Sequence, residues 1–382
     1  MVSRISRVRT YTTFGGVRNW IFVRVDTDDG LHGWGEASTE LWESSVVAAI
    51  EEAGRRVLGL DALATEAVWQ HIFRHGFWRG GVILGSALAA IDQALWDIRG
   101  KRLGVPVHRL LGGPVRDWVR TYRHVGIYDA GGLVTEARML RDEGVRIMKT
   151  GAWPETSALS EHERTVRYAD RLGELRDAVG DDVEILVDNH GRSTPDGAVR
   201  LIEAVAPHRP RWVEEPIAPE LGDALPSVVA AAQAHGISLA LGERAFSRSD
   251  LRDPLVRRLV DIVQPDLCHA GGITEVIKIA AFAEPFGARL APHNPGGPVS
   301  TAAAAQVAMA VPNFEVLEFT PDEPRRSQVM IQPWEYDGER LLVPDRPGLG
   351  VDLDVEAIQD VGAQPIRVPA SAFADDGSVV DI

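Results

Sequence analysis

Glu184-Ile185-Leu186-Val187-Asp188, Arg211-Trp212-Val213-Glu214 and Ser238-Leu239-Ala240-Leu241-Gly242-Glu243 are three short apolar runs, each ending on a carboxylate. Asp188 and Glu214 lie 26 residues apart and Glu214 and Glu243 lie 29 apart, close to the length of one strand, loop, helix and loop. That spacing predicts a parallel α/β barrel with the three acids at the C-terminal ends of neighbouring strands, the end where barrel enzymes carry their chemistry. Hard oxygen ligands without Cys, and with no His at these three positions, select Mg²⁺ over zinc and leave coordination positions free for water or an anionic substrate. Because neighbouring residues of a strand face opposite ways, only one of Glu214 and Glu215 can enter the barrel mouth.

Outward from these runs the same alternation continues. Apolar runs near residues 120, 146, 185, 211, 239, 261, 289 and 315 alternate with helical stretches, giving eight strands that right-handed crossovers close into a barrel. Lys149 ends the second run. Asp266 ends Asp261-Ile262-Val263-Gln264-Pro265-Asp266, and His293 ends Arg289-Leu290-Ala291-Pro292-His293. An Asp on one strand end and a His on the next can hydrogen-bond across the mouth, which fixes the imidazole tautomer and raises its basicity. His190 follows Asp188 by two residues, and strand alternation predicts that its ring projects beside the cation.

The chain before the barrel reads differently. Ile5–Tyr11, Trp20–Thr27 and Leu31–Glu36 read as strands, with a turn at Asp28-Asp29-Gly30. Helical spacing follows over Ser45–Leu58, Leu63–Arg74 and Ala87–Lys101, so the segment is predicted to be an α+β domain. The expected division is 1–118 for this capping domain, 119–320 for a TIM-type barrel of seven or eight βα units, and 321–382 for a segment rich in Pro and Asp.

Composition narrows the function. The 382 residues are 45% hydrophobic and 25% charged, as in soluble globular proteins. A formal charge of −15 argues against a nucleic-acid partner, since phosphate contacts need clustered Lys and Arg. The lone Cys268 forbids an intrachain disulfide and fits a reducing, cytoplasmic setting. Met1–Val8 lacks the apolar stretch of a signal peptide, and no window is expected to reach the length of a membrane span.

Several further stretches carry a family resemblance when read in order: Phe77-Trp78-Arg79-Gly80-Gly81, Ala90-Ile91-Asp92-Gln93-Ala94-Leu95-Trp96-Asp97-Ile98, Asp188-Asn189-His190-Gly191-Arg192, Glu214-Glu215-Pro216, Gln264-Pro265-Asp266, His269-Ala270-Gly271-Gly272-Ile273-Thr274-Glu275 and Ala291-Pro292-His293-Asn294-Pro295. Nearly end to end, the chain resembles the mandelate-racemase subgroup of the enolase superfamily, and within it the galactonate dehydratase family of acid-sugar dehydratases. The resemblance implies Mg²⁺ on Asp188, Glu214 and Glu243, acid and base roles for His190 and for His293 with Asp266, and a Glu318 that hydrogen-bonds the substrate carboxylate and developing enolate. It further implies substrate contacts from Lys149 and Asn189, a lid built from Arg18, Trp20, Trp78 and Arg79, a tail packed back on the capping domain, and a homo-oligomer, octamer or dimer.

The implied reaction is dehydration of a sugar acid, D-galactonate foremost, to a 2-keto-3-deoxy acid. Three departures bear on the substrate. Lys149-Thr150-Gly151 lacks the second lysine of the subgroup's Lys-x-Lys pair, Asn189 replaces a bulky apolar residue, and Asn294-Pro295-Gly296-Gly297 replaces the usual Cys after His293. Alternative readings are a racemase, epimerase or cycloisomerase using the same site, and a sugar-acid-binding homologue without turnover. Which histidine is the base depends on the stereochemistry at C2.

Overall fold

A computed structural model of the chain describes residues 2–126, 130–151, 159–320, 325–365 and 377–379. The capping domain opens with an antiparallel meander of β1 (Ile5–Phe14), β2 (Asn19–Thr27) and β3 (His32–Glu36). Helices α1 (Glu43–Val57), α2 (Thr65–His75) and α3 (Gly81–Leu103) follow, and α4 (Val107–Leu110) leads out. Ile21, Val23 and Val25 of β2 pack with Val46 and Ile50 of α1 and Ile91, Leu95 and Ile98 of α3 in one core. Two glycines of β3 permit this. A Cβ at Gly33 would stand 2.0 Å from the Ala94 carbonyl oxygen, and one at Gly35 would stand 1.9 Å from that of Ala90, so α3 lies directly on the strand.

Helix α3 corrects two expectations. It starts at Gly81 rather than Ala87, because Gly80-Gly81 reads as a breaker but serves here as the helix start, both residues at positive φ. Its 23 residues are also long and apolar enough to cross a membrane, yet its apolar faces are taken up by β3, α1 and α10, so its hydrophobicity is that of a core helix.

The barrel follows in the predicted order: β4 (Val119–His124), α5 (Leu133–Asp142), β5 (Ile147–Gly151), α6 (Glu161–Val179), β6 (Glu184–Asp188), α7 (Pro195–Val205), β7 (Trp212–Glu214), α8 (Leu225–Ala234), β8 (Ser238–Leu241), α9 (Arg252–Val256), β9 (Ile262–Val263), α10 (Gly272–Ala283), β10 (Arg289–Leu290), α11 (Pro298–Ala310) and β11 (Leu317–Glu318). Strands β4 to β10 pair in sequence, all parallel. Closure comes from Leu317 of β11 pairing Thr121 of β4, and from Leu290 of β10 pairing Phe314 just before β11. Among the described residues seven helices separate the eight strands, a (β/α)₇β barrel.

The chain then returns. A hairpin of β12 (Glu335–Asp337) and β13 (Arg340–Leu342) adds antiparallel to the start of β4, and α12 (Val355–Val361) packs on β1. Asn19 and Gln364 exchange hydrogen bonds of 2.7 and 2.9 Å, and the Asp352 carboxylate accepts from the Trp34 indole at 2.5 Å. The C-terminal segment thus touches the barrel through β13 and the cap through α12, Gln364 and Asp352. Residues 321–324, 366–376 and 380–382 of the expected tail lie outside the described residues.

Cap and barrel meet at the C-terminal ends of the last strands. The buried Glu36 carboxylate accepts from the Gly297, Val299 and Ser300 amides, filling donors that the start of α11 leaves open. From α3, Gln93 donates to the Leu267 carbonyl at 2.8 Å and Asp92 accepts from the Thr274 amide at 2.9 Å, which ties down the loop after β9.

Candidate active site

Eight side chains plug the barrel interior: Tyr122, Ile147, Leu186, Trp212, Ala240, Ile262, Ala291 and Val316, one from each strand or its immediate flank. Alternation then decides what stands above them. Two residues further along each strand come His124, Lys149, Asp188, Glu214, Gly242, Gln264, His293 and Glu318, so an apolar layer is followed by an almost wholly polar one. Glu243 and Asp266 enter from the turns just beyond β8 and β9.

Asp188 and Glu214 are buried, and they converge on the Lys149 ammonium, which lies 3.0 Å from Asp188 Oδ2 and 2.8 Å from Glu214 Oε1. Lys149 is itself buried between the two acids in an electrostatic role, because two carboxylates this deep need a counter-charge. Burial and then the Asp188 charge push the Glu214 carboxyl up to about 7, which Lys149 only partly offsets. Burial also works against Asp188, but His190 and Lys149 hold it well below the usual carboxylate range. Glu215 turns away at φ +39° to pair with Arg244, so Glu214 is the residue of the pair that enters the mouth.

His293 and Asp266 meet as expected. His293 Nδ1 lies 2.8 Å from Asp266 Oδ2, and its Nε2 lies 3.4 Å from Glu243 Oε2. Burial would push the imidazole down, but Glu243, Glu318 and the Asp266 contact together raise it to about 10. Asp266 is fixed in turn by the Cys268 amide at 2.6 Å. His190 also reaches its place beside Asp188, with Nε2 3.1 Å from Oδ2, and the Asp188 charge raises it to about 9. The route differs from the expected one. Strand β6 ends at Asp188, and His190 is delivered by a turn at φ +50°, not by alternation, with its side chain 40% exposed.

The remaining expected site residues fall in several different surroundings. Glu318 accepts from His124 Nε2 at 2.6 Å and from the Asn294 amide at 2.9 Å. Burial notwithstanding, Lys149, His293 and His124 keep its carboxyl well below the usual range. Trp20 is fully buried against Gly15 and Gly297 and belongs to the core rather than to a lid, and Asn189 spends its amide on Ser193 Oγ and the Pro216 carbonyl. Arg18 pairs with Glu40 at 2.7 Å. Trp78 and Arg79 do border an opening. They line a cavity of about 1040 Å³ between the cap helices and the loops after β7 and β8, which reaches Arg244 beside Glu243 but is not lined by the acids and histidines of the mouth. His124 and Gln264 escaped the sequence reading, although each stands where the strand-end rule would have found it.

Among the described residues no three His, Cys, Asp or Glu side chains are gathered to hold a metal ion as they stand. The donor chemistry nonetheless fits a hard divalent cation: three carboxylates from adjacent strands, a lysine ammonium already in the cationic position between two of them, and a buried Glu243 Oε2 with no hydrogen-bond partner among the described residues.

Comparison with known proteins gives the family and the fold. Residues 6–112 match the mandelate racemase/muconate lactonizing enzyme N-terminal domain, and residues 132–358 match the enolase C-terminal domain-like family. A D-galactonate dehydratase of Xanthomonas euvesicatoria pv. vesicatoria (strain 85-10) is 37% identical over 367 residues, covering 94% of this chain and 95% of that one. One from Variovorax paradoxus (strain S110) is 37% identical over 387 residues, covering 99% and 100%. Among solved structures, an enolase from Agrobacterium radiobacter, a candidate galactarate dehydratase with sodium and L-malate bound, superposes with a TM-score of 0.88 at 32% identity, covering 99% of both chains. The 3,6-anhydro-D-galactonate cycloisomerase of Zobellia galactanivorans superposes with a TM-score of 0.85 at 28% identity, covering 94% of this chain and 100% of that one.

Proposed function

We propose that this chain, which belongs to the mandelate racemase/muconate lactonizing enzyme family of the enolase superfamily, is a Mg²⁺-dependent dehydratase of a sugar acid, with D-galactonate as substrate. Its class is that of a hydro-lyase. The observation that carries the reading is the placement of two carboxylate-bound histidines. His190 follows β6 and His293 follows β10, four strands apart in a barrel of eight, so a substrate held over the acids of β6, β7 and β8 lies between them.

Asp188, Glu214 and Glu243 would hold the cation, which when bound supplies positive charge to the substrate carboxylate as negative charge develops on it. The chain's own groups then divide the proton work. Asp266 holds His293 Nδ1 and leaves Nε2 to take the C2 proton. His190, across the mouth, gives a proton to the C3 hydroxyl, which departs as water, and the enol left behind ketonises to the 2-keto-3-deoxy acid. Carboxylates assigned to the cation contribute to raising both imidazoles, Asp188 and Glu243 for His190 and Glu243 for His293, so a bound cation would lower their basicity. A binding protein without turnover has no need for both pairs.

The test is conversion of D-galactonate to a 2-keto acid by the purified protein, abolished by a chelator and restored by Mg²⁺; absence of keto acid from D-galactonate and from other aldonates and aldarates would remove the reading. Within it, Asp266→Asn is expected to preserve the fold by circular dichroism while lowering kcat roughly 10²-fold, the scale of a lost positioned base. A rate within threefold of the parent would make the pair structural only.

A further inference from the structure

Gln264 is the one carboxamide side chain in the layer above the barrel plug. It is 1% exposed, and among the described residues neither its Oε1 nor its Nε2 has a hydrogen-bond partner. Its direction is fixed by its neighbours. Ile262 belongs to the interior plug and Val263 to the core outside the barrel, so Gln264 faces inward again. The ladder continues to this point through its amide, which donates to the Leu241 carbonyl at 2.9 Å, and Pro265 after it keeps the backbone extended. The preceding strand offers only Gly242 in this layer, leaving the carboxamide without a side-chain neighbour there, while His293 stands in the layer on the strand that follows.

A buried primary amide with both ends unmatched costs stability, and such a cost is retained where a ligand group completes the bonds. Its chemistry says which group. A carboxylate accepts only, and so would leave Oε1 unmatched. A hydroxyl both donates and accepts. We infer that Gln264 is a substrate-binding residue whose carboxamide engages the hydroxyl on the carbon presented to His293, the C2 hydroxyl of a 2-hydroxy acid. The inference rests on the sugar-acid reading of the site.

The test compares parent and Gln264→Met, an unbranched replacement of similar volume, in the presence of Mg²⁺. Three results are expected together. The unfolding midpoint rises, because two unmatched polar groups leave the interior. Mg²⁺ affinity stays within threefold. The kcat/KM for D-galactonate falls roughly 10- to 100-fold, the loss of one or two hydrogen bonds. A binding cycle isolates the hydroxyl: L-malate carries one that succinate lacks, and the preference for L-malate should shrink about tenfold in the variant. If both diacids weaken equally, or neither changes, the assignment is overturned whatever happens to turnover. If the parent fails to convert D-galactonate yet the variant loses its preference for L-malate, the substrate reading fails and Gln264 keeps its role. Gln264→Leu repeats the cycle should the longer side chain fail to pack.

Discussion

Glu214→Gln is expected to remove Mg²⁺ binding and with it all measurable turnover. Glu214 is fully buried at the end of β7, between the acids of β6 and β8, and its counter-charge is the Lys149 ammonium at 2.8 Å. The amide keeps the volume of the acid, so the barrel layer remains packed, but one of three negative charges is lost while the lysine's positive charge stays. A unit charge about 4 Å from another is worth on the order of 4 kcal/mol at the effective dielectric of a protein site, which for a divalent ion implies binding at least roughly 10³-fold weaker. Calorimetric titration of the folded variant with Mg²⁺ measures this directly. A stoichiometric isotherm within tenfold of the parent's affinity would mean that the cation lies elsewhere and that Lys149 is the lasting partner of Asp188 and Glu214.

This prediction rests on residues that the sequence made visible, and the reason is geometric. A strand that ends on a carboxylate after an apolar run has few places to put that charge except the open end of the barrel, so Asp188 and Glu214 could be read directly. His293 and Asp266 were readable for the same reason, each closing its own run. What escaped was anything set by a turn or by another strand. His190 depends on a left-handed residue that strand alternation does not foresee. Nothing in the run that ends on Lys149 shows that two acids from the next strands close over it. The partners of Glu318, His124 and the Asn294 amide, are both distant in sequence or on another strand, so its own run does not show them.

The cap was harder still. Trp20 and Trp78 look alike as aromatic residues of a small domain, yet one is fully buried and the other is 79% exposed at the edge of the cavity. Burial there is decided by tertiary packing: Gly15 and Gly297 close on the Trp20 ring from cap and barrel at once. The early start of α3 has the same origin. Gly85 lies so close to the His269 carbonyl that a Cβ would approach it to 2.4 Å, so the first turns of the helix are shaped by contact with the barrel loop rather than by local propensity.

His190→Asn is expected to separate the two halves of the reaction. In the parent, proton removal by His293 and expulsion of the C3 hydroxyl with help from His190 follow one another. With Asn at 190 the second step loses its acid, while the His293 and Asp266 pair, four strands away, is untouched. Deprotonation is then reversible. In D₂O the recovered D-galactonate should gain deuterium at C2 while 2-keto acid formation falls by roughly 10² to 10⁴, the range of a positioned general acid. The same experiment on the parent distinguishes dehydration from racemisation, since a racemase would return the C2-inverted acid and no keto product. Asn at 190 also removes the partner that helps hold Asp188 ionised, so Mg²⁺ affinity must be measured alongside. If Mg²⁺ still binds and keto acid forms at the parent rate, the departing hydroxyl takes its proton from another group, and His190 is no more than a partner for Asp188. If neither deuterium nor keto acid appears while Mg²⁺ still binds, His190 rather than His293 is the base, and the stereochemistry at C2 is the reverse of that assigned.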